Sequence, residues 1–332
     1  MSAAGRPLRW GVLGVAHINN RLKPAFLAAK SVKLQAIASR CHDKSRAAAN
    51  DFGFETAYGG YDELLADPKV DAVYIPLPNS LHAEWTKKAA DRGKHVLVEK
   101  PMCPTAPEAA DLLAYCRARR VRLMDGFMWP HHPRTHRIRQ MLDDGAIGQV
   151  QRVTSAFTFK MDPLATTNIR LQPAMGGGSL LDVGCYPVYG IRWAFRAEPV
   201  RAFARAQMFN GVDVEMSGHL LFADGGVASF DCGFTLPYRP WMEIVGTKGS
   251  IRIPRMWLPH AKATWEVELN GEAPIEHSID GHCQMVHMLD DFAAAVWAER
   301  DTDPPPDEAV KTLRVMDALA RSVREGREVD VL

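Results

Sequence analysis

Between Arg9 and Gly126, apolar runs of strand length alternate with segments of helix length. Strands are expected over 9–13, 32–39, 72–75, 95–98 and 122–126, and helices over 21–30, 61–66 and 82–92. Asp43 is expected to cap a helix running to Phe52, and a Thr105/Glu108 capping box to open another reaching Arg119. The run 95–101 is the most constraining. Val96, Leu97 and Val98 are apolar in succession, as a strand buried on both faces requires, and Pro101 cannot continue the ladder. Such alternation predicts βαβ units and a doubly wound parallel sheet, an α/β Rossmann domain.

After Gly148 the pattern changes. Strand-like runs at 150–159, 200–208, 216–222, 227–234, 241–245 and 250–253 follow one another with turn residues such as Ala223-Asp-Gly-Gly226 between them. They predict a predominantly antiparallel open β-sheet domain of α+β type, one face covered by a helix over 179–194. Two late helices, 283–298 and 308–324, flank Pro304-Pro-Pro306. A chain of 332 residues fits this division. The expected parts are a dinucleotide-binding domain over 1–128, a substrate-binding and oligomerisation sheet over 129–300, and a helix over 301–332 packing back on the first domain.

The composition narrows the class of partner. A net charge of +1 and 47% apolar residues describe an ordinary globular protein and argue against nucleic acid or a membrane surface as partner. No run of 18 apolar residues is present, and the polar start, Met1 to Pro7, is not expected to act as a signal peptide. Six scattered cysteines without a CxxC pair read as reduced, individually buried thiols of a cytoplasmic protein. His131, His132 and His136 cluster without an acidic or thiol partner at ligand spacing, so no metal site is expected. Apolar residues at Val153, Ala156, Phe230, Cys232 and Phe234 are expected to leave one sheet face bare, and hence to join at least a homodimer.

Three stretches carry chemistry. Gly14-Val-Ala-His-Ile-Asn19 has the frame of the dinucleotide fingerprint, with Ala16 and Asn19 in place of the second and third glycines. Ser39 and Arg40 end the second strand where an acidic residue would favour NAD. An arginine suits the 2′-phosphate of NADP, the alternative being a solvated surface residue. Lys100 stands at the carboxyl end of its strand, where ligands of open α/β sheets bind; alternatively it closes the strand and points at water. Finally, Gly176-Gly-Gly-Ser-Leu-Leu-Asp182-Val-Gly-Cys-Tyr186 places a carboxylate and a phenol at i and i+4 on one helix face. Beside a lysine they form a proton-transfer set; otherwise they are a dipole-favoured aspartate and a packed tyrosine.

Gly14-Val-Ala16, Glu99-Lys100-Pro101, Phe127-Met-Trp-Pro-His-His-Pro133 and the stretch from Gly176 to Tyr186 together resemble the Gfo/Idh/MocA oxidoreductases, over nearly the whole chain. The resemblance implies hydride exchange between a nicotinamide and a sugar-like carbinol or carbonyl, and a sheet domain that buries a homodimer or homotetramer interface. It implies catalytic roles for Lys100, Asp182 and Tyr186, the tyrosine standing where inositol dehydrogenases carry histidine. NADP is then expected against Gly14, Val15, Ala16, His17, Ile18, Ser39, Arg40, Pro76, Leu77, Asn79, His82, Glu99 and Lys100. The substrate is expected against Trp129, His131, Arg170, Asp182 and Tyr186. The leading expectation is an NADP-dependent aldose 1-dehydrogenase or aldose oxidoreductase acting on a sugar or polyol. A nucleotide-sugar 3-ketoreductase, a trans-dihydrodiol dehydrogenase and an NADPH-binding regulatory protein are the alternatives.

Overall fold

The structure, a computed structural model, describes residues 5–162 and 164–331, so the polar start read from Met1 falls mostly outside it. The chain divides into two compact units: residues up to His131 with Cys283–Val310, and His132–His282 with the residues from Lys311 on.

In the first unit β1 (Leu8–Leu13), β2 (Val32–Ala38), β3 (Thr56–Tyr58), β4 (Ala72–Ile75), β5 (His95–Val98) and β6 (Leu123–Asp125) form one parallel sheet ordered β3-β2-β1-β4-β5-β6. Helices α1 (His17–Ala28), α2 (His42–Phe52), α3 (Tyr61–Ala66), α4 (His82–Asp91) and α5 (Ala106–Ala118) make the crossovers. Trp10, Ile37, Val73 and Leu97 are fully buried, as strands covered on both faces demand. Each such side chain contributes about 1.5–3 kcal/mol by leaving water. The strand order reverses at β1, between β2 and β4, which opens a crevice at the carboxyl ends.

Two expected caps differ. Cys41, not Asp43, precedes α2, and Asp43 lies in its first turn, paired with Arg46 at 2.5 Å. Thr105 does precede α5, but its hydroxyl donates to the Glu108 carboxylate at 3.3 Å instead of capping a backbone N–H.

The second unit holds α6 (Pro133–Asp143), α7 (Cys185–Phe195) and strands β7 (Val150–Thr158), β8 (Arg201–Phe209), β9 (Val212–Leu221), β10 (Val227–Gly233), β11 (Met242–Gly246), β12 (Gly249–Ile253), β13 (Lys262–Leu269) and β14 (Ile275–Asp280). The sheet is antiparallel except for β7 beside β10. The β13–β14 hairpin was not expected. Helix α7 lies close on one face: a Cβ on Gly190 would sit 2.6 Å from both the Met242 methyl and the Trp257 ring.

The chain then leaves and returns. Helix α8 (Gln284–Trp297) belongs to the first unit, where Phe292 packs on Trp10 at 5.3 Å and Asp290 accepts from Ser31 at 2.5 Å. Helix α9 (Asp307–Glu325) runs on into the second unit; there the Ala204 N–H donates to Ser322, and β15 (Val329–Asp330) pairs with β8. The expected split, a sheet domain to 300 and a last helix on the Rossmann domain, is therefore corrected. The reason is that α8 carries the aromatic face that fits β1, while the end of the chain completes the edge of the second sheet.

Other expectations change too. Cys41 and Cys283 are exposed, while burial holds the Cys103 and Cys116 thiols up at about 12. Val153, Ala156, Phe230, Cys232 and Phe234 are each at most 3% exposed within the single chain, so they form no bare apolar face. Among the described residues no helix is long and apolar enough to cross a membrane, and no group of three metal-ligating side chains occurs.

Candidate functional site

Each unit carries a candidate cluster. In the first, β1 is followed by Gly14 at φ +122°, a conformation that side chains resist. A Cβ there would also lie 3.1 Å from Leu77 and 3.7 Å from the Tyr61 hydroxyl. The bare backbone thus opens a cradle before the N-terminus of α1, where Ala16 is the N-cap and His17 and Ile18 begin the first turn. Asn19 ties this turn down by donating to the Gly14 carbonyl at 2.8 Å. At the end of β2, Ser39 is buried and accepts from the Cys41 N–H at 3.2 Å. Arg40 is exposed, and its charge acts on the Tyr61 phenol. Burial holds that phenol above its ordinary value, against the opposing charge of Arg40. An arginine held beside a glycine cradle is what an adenosine 2′-phosphate requires, so these residues fit NADP.

The loops after β4 and β5 are joined by His82. It is fully buried, with Nδ1 2.9 Å from the Pro101 carbonyl and Nε2 2.8 Å from the Leu77 carbonyl. Burial, with the Lys100 charge adding, holds the ring below its ordinary value in spite of those carbonyls. A neutral ring has one N–H for two acceptors, so His82 is committed to the loops and not to a ligand. Glu99 is similarly occupied. Its Oε1 accepts from the Tyr74 hydroxyl at 2.6 Å and its Oε2 from the Lys100 N–H at 3.2 Å, which fixes the backbone that presents Lys100. Trp129 and His131 are buried, and His131 Nδ1 lies 2.7 Å from the Asp291 carboxylate.

In the second unit the glycine run leads into a π-helical turn, Leu180–Gly184, which carries Asp182 and is followed by α7 with Tyr186. The pair therefore does not share one face of a regular α-helix; π turns are often found where function needs a side chain re-aimed. Arg170 Nε donates to Asp182 Oδ2 at 2.6 Å. The guanidinium is held above its ordinary value, chiefly by the Asp182 charge, with Tyr186 adding to it. Tyr186 is 4% exposed, edge-on to Phe157 at 5.0 Å and tilted to Trp257 at 5.8 Å. A carboxylate, a guanidinium and a phenol in an aromatic wall can orient a hydroxyl and exchange its proton.

Residues 8–127 match the oxidoreductase family with an NAD-binding Rossmann fold, and residues 135–252 match the GFO/IDH/MocA C-terminal domain. The chain is 35% identical to a D-xylose 1-dehydrogenase (NADP(+)) of Haloferax volcanii over 98% of its own length and 100% of that protein's. The chain belongs to the Gfo/Idh/MocA family of oxidoreductases. Two solved structures in the comparison agree. One is a 3-ketoreductase from Actinomadura kijaniata with NADP and TDP-benzene, at TM-score 0.88 and 33% identity, covering 95% of this chain and 98% of that one. The other is an aldose-aldose oxidoreductase from Caulobacter crescentus complexed with glycerol, at TM-score 0.90 and 29% identity over 98% and 100%.

On this Gfo/Idh/MocA chain the structure brings Gly14, Ala16, Ser39, Arg40 and Leu77 together at the strand ends, and Arg170 with Asp182 and Tyr186 in the other unit. It takes His82 out of direct ligand contact. Sequence reasoning missed Tyr61, Tyr74 and Asp213. Only Asp213 left a local signal, the Asn210-Gly211 hairpin turn just before it.

Proposed function

We propose that the chain is an NADP-dependent sugar oxidoreductase, an aldose 1-dehydrogenase in its simplest form. The observation that carries this reading is Tyr186, a buried phenol in an aromatic wall beside the Arg170–Asp182 pair. NADP supplies the hydride acceptor when bound, and Gly14, Ala16, Ser39, Arg40, Tyr61 and Leu77 would hold it. Tyr186 takes the proton of the carbinol as the carbonyl forms. A phenol ordinarily titrates near 10, so the phenolate needs a compensating charge to be accessible near neutrality, the role the family resemblance implies for Lys100. Asp182, held by Arg170, accepts from a second substrate hydroxyl. Trp129 and His131 stay candidates for the substrate wall; both are buried, and His131 Nδ1 already meets the Asp291 carboxylate.

The relatives support the reading by what they act on and bind. The Actinomadura ketoreductase has also been solved with one tyrosine changed to phenylalanine and with one lysine changed to alanine or glutamate. Those are the residue types placed in the chemistry here. A cytoplasmic homodimer or homotetramer is part of the same proposal, resting on the family resemblance and on six scattered cysteines without a CxxC pair. Sedimentation showing only a 36.8 kDa species at micromolar concentration removes the oligomer.

The test is formation of reduced nicotinamide with NADP and a panel of aldoses. Turnover of nucleotide-sugar ketones or trans-dihydrodiols, and of no aldose, moves the assignment to those substrates; NADPH binding without any turnover makes the chain a regulatory protein. Cofactor choice is read separately. A charge-assisted bond to the 2′-phosphate is worth about 1.5–3 kcal/mol, so even one from Arg40 or Ser39 should make NADPH bind about tenfold to a hundredfold tighter than NADH. Ser39→Asp with Arg40→Leu should abolish that preference. Equal affinities in the native protein refute the NADP assignment.

A further inference from the structure

The π-helical turn does not hold itself in place. Asp213, near the start of β9, reaches across to it: Oδ2 accepts from the Ser179 hydroxyl and from the Leu180 N–H, both at 2.6 Å. The Ser179 side chain is completely buried, so without Asp213 its hydroxyl and the first N–H of the turn would lose their acceptor. Gly178 is shaped to this contact. It sits at φ +119°, and a Cβ would lie 2.4 Å from Asp213 Oδ1.

The same hairpin end also holds the other partner of Asp182. The β8–β9 turn is Asn210-Gly211, both at positive φ. Asn210 Nδ2 donates to the Leu171 carbonyl at 2.6 Å, next to Arg170. The Gly178 N–H donates to the Arg170 carbonyl at 2.9 Å, and a Cβ on Gly177 would strike that carbonyl at 2.6 Å. The glycine run is therefore a close backbone contact between the Arg170 segment and the turn of Asp182, and one hairpin ties down both.

We propose that Asp213 is a positioning residue for proton transfer, fixing through Ser179 and Leu180 the turn that aims Asp182 and Tyr186. The inference rests on the reading of Tyr186 given above. Burial holds the Asp213 carboxyl above its ordinary value, while hydrogen bonds from Ser179, Leu180 and its own backbone oppose this.

The test compares Asp213→Ala, Asp213→Asn, Ser179→Ala and Tyr186→Phe, with kcat for the best substrate and the dissociation constant of NADPH measured on each. Misplacing a reacting group by about 1 Å costs about 10²-fold, so Asp213→Ala should lower kcat by about 10- to 100-fold. NADPH affinity should stay within about twofold, because the nucleotide is assigned to the first unit. Asp213→Asn keeps an oxygen for both donors and should recover kcat to within about threefold of native, and Ser179→Ala should fall between. Added to Tyr186→Phe, Asp213→Ala should lower kcat by much less than it does alone.

A native kcat in Asp213→Ala, an Asn variant no better than Ala, or losses that multiply with Tyr186→Phe would overturn the inference. Should Asp213→Ala not fold, the Asn and Ser179→Ala variants decide: equal, severe loss in both contradicts positioning through hydrogen bonds. Near-native activity of Tyr186→Phe overturns the role of Tyr186 and this inference with it. Loss in Tyr186→Phe with kcat kept in Asp213→Ala overturns this inference alone.

Discussion

Asp125 is the carboxylate whose charge the fold resists most openly. It ends β6 in register with Val98, the last residue of β5, which Glu99 follows. Burial pushes it up to about 7, opposed by a hydrogen bond from its own backbone, with the Glu308 and Glu99 charges adding to the rise. The native state therefore keeps a proton between about pH 4 and 7 that the unfolded chain has already released. Stability falls as pH rises through that window and levels off above about 7. A rise of about three pKa units corresponds to about 4 kcal/mol over the whole window, of which about 2.5 kcal/mol lies between pH 5 and 8. Residual solvent contact makes these figures ceilings. Asp125→Asn keeps the shape and cannot ionise, so its advantage over the native protein should grow across that range. Urea unfolding of both proteins at half-unit pH steps measures it. A constant difference between the two curves means that Asp125 titrates as an ordinary carboxyl, and the argument from burial fails.

The remaining predictions concern other parts of the chain. His95 is held down at about 4, chiefly by burial and then by the Arg122 charge, and its Nδ1 accepts from the Arg122 N–H at 3.0 Å, so the native ring is neutral. Its contribution is intact above the ordinary histidine value and is lost as pH falls toward 4, by up to about 3 kcal/mol; His95→Gln should flatten that acid limb in urea unfolding. Tyr186→Phe should lower kcat by about 10² or more and Lys100→Ala by at least as much, with the double variant far less impaired than the product of the two; full multiplication in steady-state rates would show that they act independently. Gly190→Ala would drive a methyl into the Trp257 ring and should destabilise the protein by about 1–3 kcal/mol, read as a lowered melting temperature; an unchanged value would show that α7 can lift off the sheet freely.

Which parts of this molecule can be read from the chain follows from where the information lies. Tyr61–Ala66 and Ala72–Ile75 match expectation residue for residue, because a buried run closed by Pro76 states both its type and its end locally. In β13 the alternation of Ala263, Trp265 and Val267 is equally visible, and all three are buried. Its partner β14 is exposed or half-exposed throughout and offers no pattern of its own, so the hairpin went unread. Helix α8 declares an apolar face but not which unit it covers; that is decided by Phe292 meeting Trp10, a contact between opposite ends of the chain. The candidate site divides in the same way. Lys100, Arg40 and Tyr186 could be singled out as candidates because the residue type itself carries chemistry at a recognisable strand or helix end. Asp213 is not, because an acid two residues past an Asn-Gly turn is ordinary turn chemistry, and nothing local says whom it will meet. Its partners are chosen by register: Asp213 stands opposite Met208 at the tip of the β8–β9 hairpin, while on β10 Cys232 pairs with Met216 and lies 3.7 Å from the Ser179 hydroxyl. A one-residue slip of β9 would turn Asp213 to the other face and leave the turn of Asp182 without its acceptor. On the proposed role of Asp213, the sheet register is itself part of what aims Tyr186, and that is information no window of sequence around Tyr186 contains.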